Sequence, residues 1–248
     1  GARREPNTRM TTAELYDGLE AASQNRWPSL RWDLLSLNGL IAPLLSAGFY
    51  YKTFMWPAAF WEKVYEPLIR RSAGLGRAAR EPDPDRYDAV QAHCDVLVVG
   101  SGAAGLAAAR VAGAAGARVT LCEQDFALGG GLLSAPAHGA WREATLAALA
   151  AMPDVTILPR TTVFGYYDHN GGGAVERVAD HLAQPPPHTP RQRYWTIRAR
   201  SIVLATGAHE RLIAFPDNDR PGIMLAGAAE TYASRFGVRA GSRALLFA

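Results

Sequence analysis

The sequence predicts an α/β fold built on a parallel β-sheet, and three patterns carry that prediction. A β-branched apolar run at residues 96–99 leads directly into a G-x-G-x-x-G pattern. A second apolar run, at residues 117–122, ends at an acidic residue, Glu123. A third, at residues 201–207, ends in Thr-Gly. Short apolar strands separated by helical stretches are typical of a parallel sheet that is buried on both faces.

The glycine pattern indicates a loop that binds a diphosphate. Gly100 permits a tight turn after the strand, and Gly102 lets the backbone approach a pyrophosphate. Gly105 lets the following helix, predicted over residues 103–115 with Gly116 as its C-terminal cap, pack closely against the strand. The N–H groups at the start of that helix carry partial positive charge, which suits a diphosphate.

Glu123 indicates which dinucleotide the loop binds. It follows Gly105 by 18 residues, and at about this spacing a carboxylate accepts hydrogen bonds from the hydroxyls of an adenosine ribose. A carboxylate in that place repels the 2′-phosphate of NADP. The pattern therefore favours NAD or FAD over NADP.

The downstream patterns predict the rest of the fold. We expect a helix over residues 141–152, a third parallel strand over 155–158, a last parallel strand over 201–207, a helix over 227–236 and a further strand over 243–248. An antiparallel meander precedes the last parallel strand, with strands predicted at residues 161–167, 174–180 and 193–200. These elements together predict the two-dinucleotide-binding fold, a Rossmann-like FAD/NAD(P)-binding architecture with a parallel sheet and a β meander.

Residues 1–90 precede this fold and differ from it in composition. We expect a helix over residues 13–24, then an aromatic-rich helical or irregular arm that buries its rings against another domain or subunit, and a polar linker over residues 72–92. The dinucleotide-binding domain is predicted over residues 91–227, and residues 228–248 are predicted to begin a second nucleotide-binding domain. Both ends of the sequence indicate a piece of a larger protein.

Composition and charge argue against several other classes of protein. The chain has 248 residues, of which 48% are hydrophobic and 20% charged, as is ordinary for a globular protein. The net charge is +3 and the arginines are scattered, so we predict no nucleic-acid partner. Polar residues interrupt the apolar stretch at residues 34–51, so we predict no membrane span, while a membrane-surface patch stays open as an alternative. No secretory signal is visible, and we expect a cytoplasmic protein.

Two cysteines, Cys94 and Cys122, flank the first two predicted strands and do not form a C-x-x-C pair. This spacing argues against a dithiol relay within these residues and against a four-cysteine iron–sulfur or zinc site. The six histidines show no metal-ligand spacing, so we predict no metal site.

Several segments resemble the α subunits of heterotetrameric sarcosine oxidases. They are the glycine motif, GARREPNTRMTTAELYDGL (residues 1–19), SQNRWPSL (23–30), AGFYYKTFMWPAAFWEKVYEPLIRRSAGLG (47–76) and LATGAHERLIAFPDNDRPGIMLAGA (204–228). The aromatic segment is the most specific of these, because generic flavoproteins lack it. The resemblance covers nearly the whole chain, which matches a minor, N-terminal part of that large subunit.

The resemblance implies an oxidase of four different subunits. Such an enzyme demethylates sarcosine oxidatively to glycine and hydrogen peroxide, and passes the one-carbon unit to tetrahydrofolate bound by a C-terminal module of the α subunit. The amine would be oxidised at FAD in the β subunit, and electrons would pass to a covalently held FMN near the α/β interface and then to oxygen. The α subunit would hold NAD in a non-catalytic role beside its β, γ and δ partners. We therefore predict no catalytic residue within this chain.

The resemblance also assigns ligand contacts to numbered positions. Those at the pyrophosphate are Gly100, Gly102, Ala103, Ala104 and Gly105. Those at the adenosine ribose are Glu123 and Gln124, with Gly131 in the following loop. Val163 would present its backbone to the adenine, and Thr206 and Gly207 would lie beneath the nucleotide.

Two other hypotheses stay open. In one, the chain belongs to an FAD-dependent NAD(P)H oxidoreductase whose second domain binds the nicotinamide, or to an α-type subunit of a related amino-acid dehydrogenase complex. In the other, the chain is a binding scaffold whose nucleotide site is vestigial. Extracted FAD that NADH reduces would favour the first, and unchanged cofactor content in a Glu123→Ala variant would favour the second.

Overall fold

The computed structural model divides the chain into two compact units, Gly1–Pro84 and Asp85–Ala248. The residues described are 5–8, 13–41, 43, 48, 52, 54–76, 80, 82–218, 220 and 222–246. Within them, the first unit contains short helical segments and the second contains a six-stranded β-sheet with three longer helices.

The first unit is irregular chain interrupted by short helical segments. Its described segments are 3-10 turns at Leu34–Leu37 and Ala58–Phe60, a π-helical turn at Trp61–Tyr65, and the helices α1 (Asn38–Ile41) and α2 (Glu66–Ser72). Asp33 closes one loop, because its carboxylate accepts hydrogen bonds from the backbone N–H groups of Trp27 (3.0 Å) and Leu35 (3.1 Å). Every described residue of this unit is half-buried or exposed, and Trp56 is 84% exposed.

The helix expected over residues 13–24 is wrong. Gly18 has a φ of +84°, and the Leu19 N–H donates to the Tyr16 carbonyl (3.1 Å), so the chain turns there. A right-handed helix does not continue through a positive φ.

The second unit is a mixed sheet flanked by helices. Its strands are β1 (Tyr87–Val99), β2 (Val119–Cys122), β3 (Val155–Leu158), β4 (Thr161–Tyr167), β5 (Gly171–Arg177) and β6 (Gln192–Leu204). Its helices are α3 (Ala103–Ala114), α4 (Gly139–Ala150) and α5 (Ala226–Phe236), and 3-10 turns lie at Gly130–Ser134 and Pro136–His138. The strand order is β3-β2-β1-β6-β5-β4. The first four of these are mutually parallel, and β5 and β4 are antiparallel to their neighbours, which confirms the predicted fold class.

The core lies on both faces of β1, because successive side chains of a strand point to opposite sides. Leu97 and Val99 belong to one buried cluster together with Cys122. Val98 belongs to a second cluster together with Leu106 of α3. The glycine loop therefore follows a strand that is held from both sides.

Strands β1 and β6 are both longer than predicted. Strand β1 begins at Tyr87, so the segment predicted as a polar linker is partly strand. The two strands predicted at residues 193–200 and 201–207 are one continuous strand, β6, which pairs with β5 on one side and β1 on the other. Ion pairing explains the polar half, because the Arg193 guanidinium lies 3.0 Å from the Asp88 carboxylate across the β1/β6 ladder.

Strand β5 spans Gly171–Arg177, so it begins three residues before the strand predicted over 174–180 and ends three residues before its predicted end. A Cβ atom at Gly172 would lie 2.8 Å from the Leu97 Cδ2 atom. Because Gly172 has no side chain, β5 can lie close to the core. The local glycine pattern does not reveal this contact, because Leu97 is distant in sequence.

Most of the other helices and strands of the second unit match their predicted bounds. Strands β3 and β4 have the predicted bounds, and the predicted helices over 103–115, 141–152 and 227–236 are confirmed within two residues. The strand predicted at 243–248 is wrong over its described part, because residues 243–246 form a bend and irregular chain. None of the helices in the described part of the chain has the length and apolar character needed to cross a membrane.

Candidate dinucleotide-binding site

The turn after β1 depends on Gly100. Its φ is +99°, a region that favours glycine, and its N–H donates to the Cys122 carbonyl at 2.8 Å. A Cβ atom here would collide with the carbonyl oxygen of Ala205, the residue that follows β6. The end of β6 therefore passes directly against the start of the glycine loop.

Gly105 allows α3 to pack against the same turn. A Cβ atom at Gly105 would overlap the carbonyl oxygen of Gly100 and would lie 3.3 Å from the Ala205 side chain. Gly105 is buried, and it has no room for a larger residue. The structure thus gives Gly100 and Gly105 the packing roles that the sequence pattern predicts.

Gly102 faces open space, whereas Gly100 and Gly105 are in close contact with other backbone atoms. Apart from its own neighbours along the chain, no atom of the described residues lies within 4 Å of a Cβ placed there. It is the N-cap of α3, no side chain caps that end, and Ala103 and Ala104 are exposed. The first intrahelical bond runs from the Leu106 N–H to the Gly102 carbonyl at 2.9 Å, so the preceding N–H groups point out of the helix end. This arrangement suits an anionic group.

The Glu123 carboxylate lies behind this open surface. Glu123 is 7% exposed, and its Oε2 atom accepts hydrogen bonds from the backbone N–H of Ser101 (2.8 Å) and from the Ser101 hydroxyl (2.6 Å). Its Oε1 atom accepts from the Asp125 N–H at 2.9 Å. The carboxylate is thus fixed beside the glycine loop, where the sequence predicts ribose recognition.

A second glycine-rich loop closes over the first. The Gly129 N–H donates to the Ser101 hydroxyl at 2.9 Å. Gly130 has a φ of +52°, and a Cβ there would lie 3.1 Å from the Gly102 Cα atom. The resemblance assigns the ligand contact in this loop to Gly131, which is exposed with open space around it. Gly129 and Gly130 are the residues of this loop that touch the first glycine loop.

The other predicted contacts lie around these loops. Gln124 is exposed, and its carbonyl accepts a hydrogen bond from the Arg177 guanidinium. The Thr161 N–H donates to the Glu123 carbonyl at 2.7 Å, which brings the start of β4 beside Glu123. Val163, two residues further along, is half-buried and packs against the core.

Thr206 and Gly207 follow β6 at the same edge of the sheet. The Thr206 Cα atom would lie 3.4 Å from a Cβ placed on Gly100, so Thr206 borders the glycine loop. Gly207 has a φ of +77° and is exposed. The chain therefore turns away immediately after it passes the loop.

An ion pair connects this region to α5. The Arg235 guanidinium donates to both carboxylate oxygens of Asp125, at 2.6 and 3.0 Å, and it lies over the rings of Phe126 and Phe236. Burial acts to raise the pKa of the Asp125 carboxyl and is the largest single influence on it. The hydrogen bonds and charge of Arg235, together with the backbone N–H groups of Ala127 and Phe126, outweigh burial and hold that pKa below the usual range. Helix α5 is thus fastened to the segment that follows Glu123.

The cysteines are buried inside the sheet. Both are free thiols, in the same core cluster. Burial raises the pKa of the Cys122 thiol to about 12 and also raises that of Cys94. At neutral pH both are therefore protonated, and neither is suited to thiol–disulfide exchange.

Two surface hollows are present in the second unit. The smaller, of about 380 Å³, is lined by Ala103, Leu132, His138 and Trp141, and so adjoins the start of α3. The larger, of about 540 Å³, lies over the β4–β5 turn and shares no residue with the glycine loop. The smaller hollow therefore lies beside the open helix end, because Ala103 follows Gly102. Within the described residues no group of histidine, cysteine or carboxylate side chains could hold a metal ion.

Sequence reasoning missed Ser101, which is completely buried and bonds to both Glu123 and Gly129. The available signal was a single hydroxyl within an otherwise aliphatic glycine loop. The contact with Gly129 is formed between segments distant in sequence, so the spacing within the motif does not reveal it.

The fold and this site define a dinucleotide-binding α/β protein of the oxidoreductase type. Residues 94–238 match the family described as pyridine nucleotide-disulphide oxidoreductase, and the chain belongs to that family.

Three curated relatives are sarcosine oxidase α subunits. The chain is 55% identical over its whole length to the one from Rhizobium meliloti (strain 1021), of which it covers 26%. It is 52% identical to the one from Corynebacterium sp. (strain P-1), over 68% of this chain and 18% of that protein. It is 50% identical to the one from Corynebacterium sp. (strain U-96), over 69% of this chain and 18% of that protein. The resemblance to sarcosine oxidase α subunits is thereby confirmed, and the chain spans about a quarter or less of their length.

Among solved structures, the L-proline dehydrogenase of P. horikoshii is similar with a TM-score of 0.49 and 22% identity. The similarity covers 66% of this chain and 32% of that one.

Proposed function

We propose that this chain is the dinucleotide-holding part of a sarcosine oxidase α subunit, and that the dinucleotide is NAD. The observation that carries the proposal is the open end of α3 at Gly102 with the fixed Glu123 carboxylate beside it. The identity of 55% over the whole chain to a sarcosine oxidase α subunit supports the assignment to that kind of protein.

The residues present fit a dinucleotide. The backbone of Gly102, Ala103 and Ala104 offers N–H groups to the pyrophosphate, while Gly100 and Gly105 keep the loop and the helix close together. Glu123 would accept a hydrogen bond from the adenosine ribose, and its negative charge disfavours a 2′-phosphate. Gln124, Gly131, Val163, Thr206 and Gly207 are proposed to border the ligand at its adenosine side and beneath it.

In this proposal the chain holds a cofactor and does not itself oxidise the amine. The two cysteines are buried and protonated at neutral pH, so they do not provide the dithiol that the family name describes. Oxidation of sarcosine to glycine and hydrogen peroxide is assigned to FAD in a β subunit, together with FMN near the α/β interface. Transfer of the one-carbon unit to tetrahydrofolate is assigned to another part of the α subunit, and γ and δ subunits complete the assembly.

Purification of the intact α subunit from its own cells tests this proposal. We expect three different subunits to copurify with a tagged α subunit, and we expect sarcosine to generate hydrogen peroxide only in that assembly. The chain of residues 1–248, expressed alone, serves as the control and should be inactive. Sarcosine oxidation by this chain alone, or an α subunit that purifies without partners, would contradict the proposal.

A second candidate function is an FAD-dependent NAD(P)H oxidoreductase. The family match over residues 94–238 favours it, because the family is described by its pyridine-nucleotide chemistry. Flavin absorbance that is bleached by NADH in the purified intact protein would support this candidate. Bound NAD without flavin on the α subunit would eliminate it.

A further inference from the structure

Ser101 links three segments of the site through one buried hydroxyl. It is completely buried, its hydroxyl oxygen lies 2.6 Å from the Glu123 Oε2 atom, and the Gly129 N–H lies 2.9 Å from the same hydroxyl oxygen. The backbone N–H of Ser101 is also directed at Glu123 Oε2, at 2.8 Å.

The direction of these bonds follows from the number of protons. A serine hydroxyl has one proton, and the Gly129 N–H must donate, so the hydroxyl accepts from Gly129 and donates to Glu123. The bond to the carboxylate is charge-assisted and therefore stronger than a neutral one. Ser101 consequently fixes the orientation of the Glu123 side chain.

The two carboxylate oxygens of Glu123 therefore differ in the number of hydrogen bonds that each can still accept. A carboxylate oxygen has two lone-pair positions. The two donors from Ser101 fill both positions of Oε2, whereas among the described residues Oε1 receives only the Asp125 N–H and keeps one position. Glu123 can therefore accept one further hydrogen bond, and it accepts that bond on Oε1.

We propose that Ser101 is a positioning residue for ribose recognition: it saturates Oε2 of Glu123 and presents Oε1 as the acceptor for a single hydroxyl of the adenosine ribose. The inference rests on the proposed function, because it requires that the site hold an adenine dinucleotide. It adds that Glu123 accepts a hydrogen bond from one hydroxyl of the adenosine ribose rather than from both.

The experiment uses the intact protein freed of bound nucleotide and measures dissociation constants by calorimetry. The probes are NAD and an NAD analogue that lacks both hydroxyls of the adenosine ribose. We expect Ser101→Ala to weaken NAD binding by roughly tenfold, the size expected for one charge-assisted hydrogen bond. We expect it to leave binding of the analogue unchanged, since the analogue makes no bond to Glu123. Ser134→Ala, in the neighbouring loop, is the matched control and should leave both constants unchanged.

Equal weakening for NAD and the analogue would show that Ser101 acts on the shape of the loop, and would overturn the proposal. An unchanged affinity for NAD would overturn it as well. Wild-type protein that binds neither compound would contradict the proposed function itself, which separates that failure from one confined to Ser101.

A measurement on the wild-type protein covers the case in which Ser101→Ala does not fold. NAD analogues that lack the 2′-hydroxyl alone or the 3′-hydroxyl alone of the adenosine ribose are compared. We expect roughly tenfold weaker binding for one of them and unchanged binding for the other. Equal losses for the two analogues would contradict a single acceptor position on Glu123.

Discussion

Two glycines three positions apart have different roles in the glycine loop. A side chain at Gly105 would overlap the Gly100 carbonyl, whereas a side chain at Gly102 would enter open space. We expect Gly105→Ala to lower the free energy of unfolding by about 1–3 kcal/mol, as overpacking does. We expect Gly102→Ala to change it by less than about 0.5 kcal/mol but to weaken NAD binding, because its methyl group occupies the approach of the pyrophosphate. Denaturant unfolding and calorimetric titration check the two effects.

Gly102→Ala and Gly105→Ala serve as matched controls for each other, since each adds one methyl group to the same loop. A stable Gly102→Ala variant that binds NAD as tightly as the wild type would show that the dinucleotide does not lie against this part of the loop.

The cysteines allow a test of burial that needs no ligand. Because burial raises the pKa of Cys122 to about 12 and also raises that of Cys94, both thiols carry a proton at pH 8. We expect no reaction of the native protein with a chromogenic disulfide reagent at that pH, and reaction of two thiols per chain in denaturant. Rapid reaction of either thiol in the native protein would place it at the surface, contrary to the structure.

At the scale of elements, the ion pair between Asp125 and Arg235 fastens α5 beside the site. Both side chains are largely buried, so we expect Arg235→Ala to lower the free energy of unfolding by about 1–3 kcal/mol. The Arg220–Asp217 pair is mostly exposed, and Arg220→Ala should change it by less than about 0.5 kcal/mol. Thermal or denaturant unfolding of both variants checks the difference, and equal effects would contradict the role given to Arg235.

The same pair predicts a dependence of stability on pH. Burial acts to raise the folded-state pKa of Asp125, but Arg235 and the backbone N–H groups of Ala127 and Phe126 together lower it below that of the unfolded chain. The stabilisation is therefore fully present above the unfolded pKa of about 3.9, and it is lost as the pH falls through the lower folded value. We expect the difference in unfolding free energy between wild type and Arg235→Ala to be constant between about pH 5 and about pH 7, because this range lies above that pKa. We expect the difference to shrink below about pH 4. A difference that grows on acidification would contradict this assignment.

Local sequence patterns predict the bounds of those helices and strands whose formation depends on residues near one another in sequence. The bounds of β3 and β4 match the prediction because each strand is a compact apolar run between turn residues. Two strands are predicted where β6 is continuous, because residues 193–200 alternate with period two and residues 201–207 form an apolar run. The pairing of β6 with both β5 and β1 makes it one strand. The glycines at the start of β5 resemble a turn until Leu97 is placed beneath Gly172.

Some features of the site are likewise predictable from local spacing, and others depend on contacts between distant segments. The packing roles of Gly100 and Gly105 and the position of Glu123 beside the loop follow from spacing, because the strand–turn–helix geometry is set locally. The roles of Ser101 and Gly130 depend on the second glycine-rich loop folding back onto the first. No spacing within the motif encodes that contact.

At the scale of the whole molecule, the second unit combines the proposed dinucleotide site with buried, protonated cysteines. Buried, protonated thiols are not suited to thiol–disulfide exchange, so we expect no dithiol relay from these two cysteines. The chain covers 26% of the sarcosine oxidase α subunit from Rhizobium meliloti, so this site is proposed as one part of a larger protein.

Removal of the Glu123 carboxylate tests whether the site is functional or vestigial. We expect Glu123→Ala to reduce the NAD content of the purified intact protein, because the ribose loses its acceptor and the Ser101 hydroxyl loses its partner. Glu143→Ala, on the exposed side of α4, is the matched control and should leave the content unchanged. Unchanged NAD in Glu123→Ala would contradict the ribose contact.

The most direct test is to identify the nucleotide that the intact α subunit carries when it is purified from its own cells. The protein is denatured, and the released compounds are quantified by mass spectrometry against standards of NAD, NADP and FAD. We predict NAD in an amount close to one per α subunit, without NADP. An α subunit that releases only FAD, or no dinucleotide at all, would contradict the role proposed for this chain.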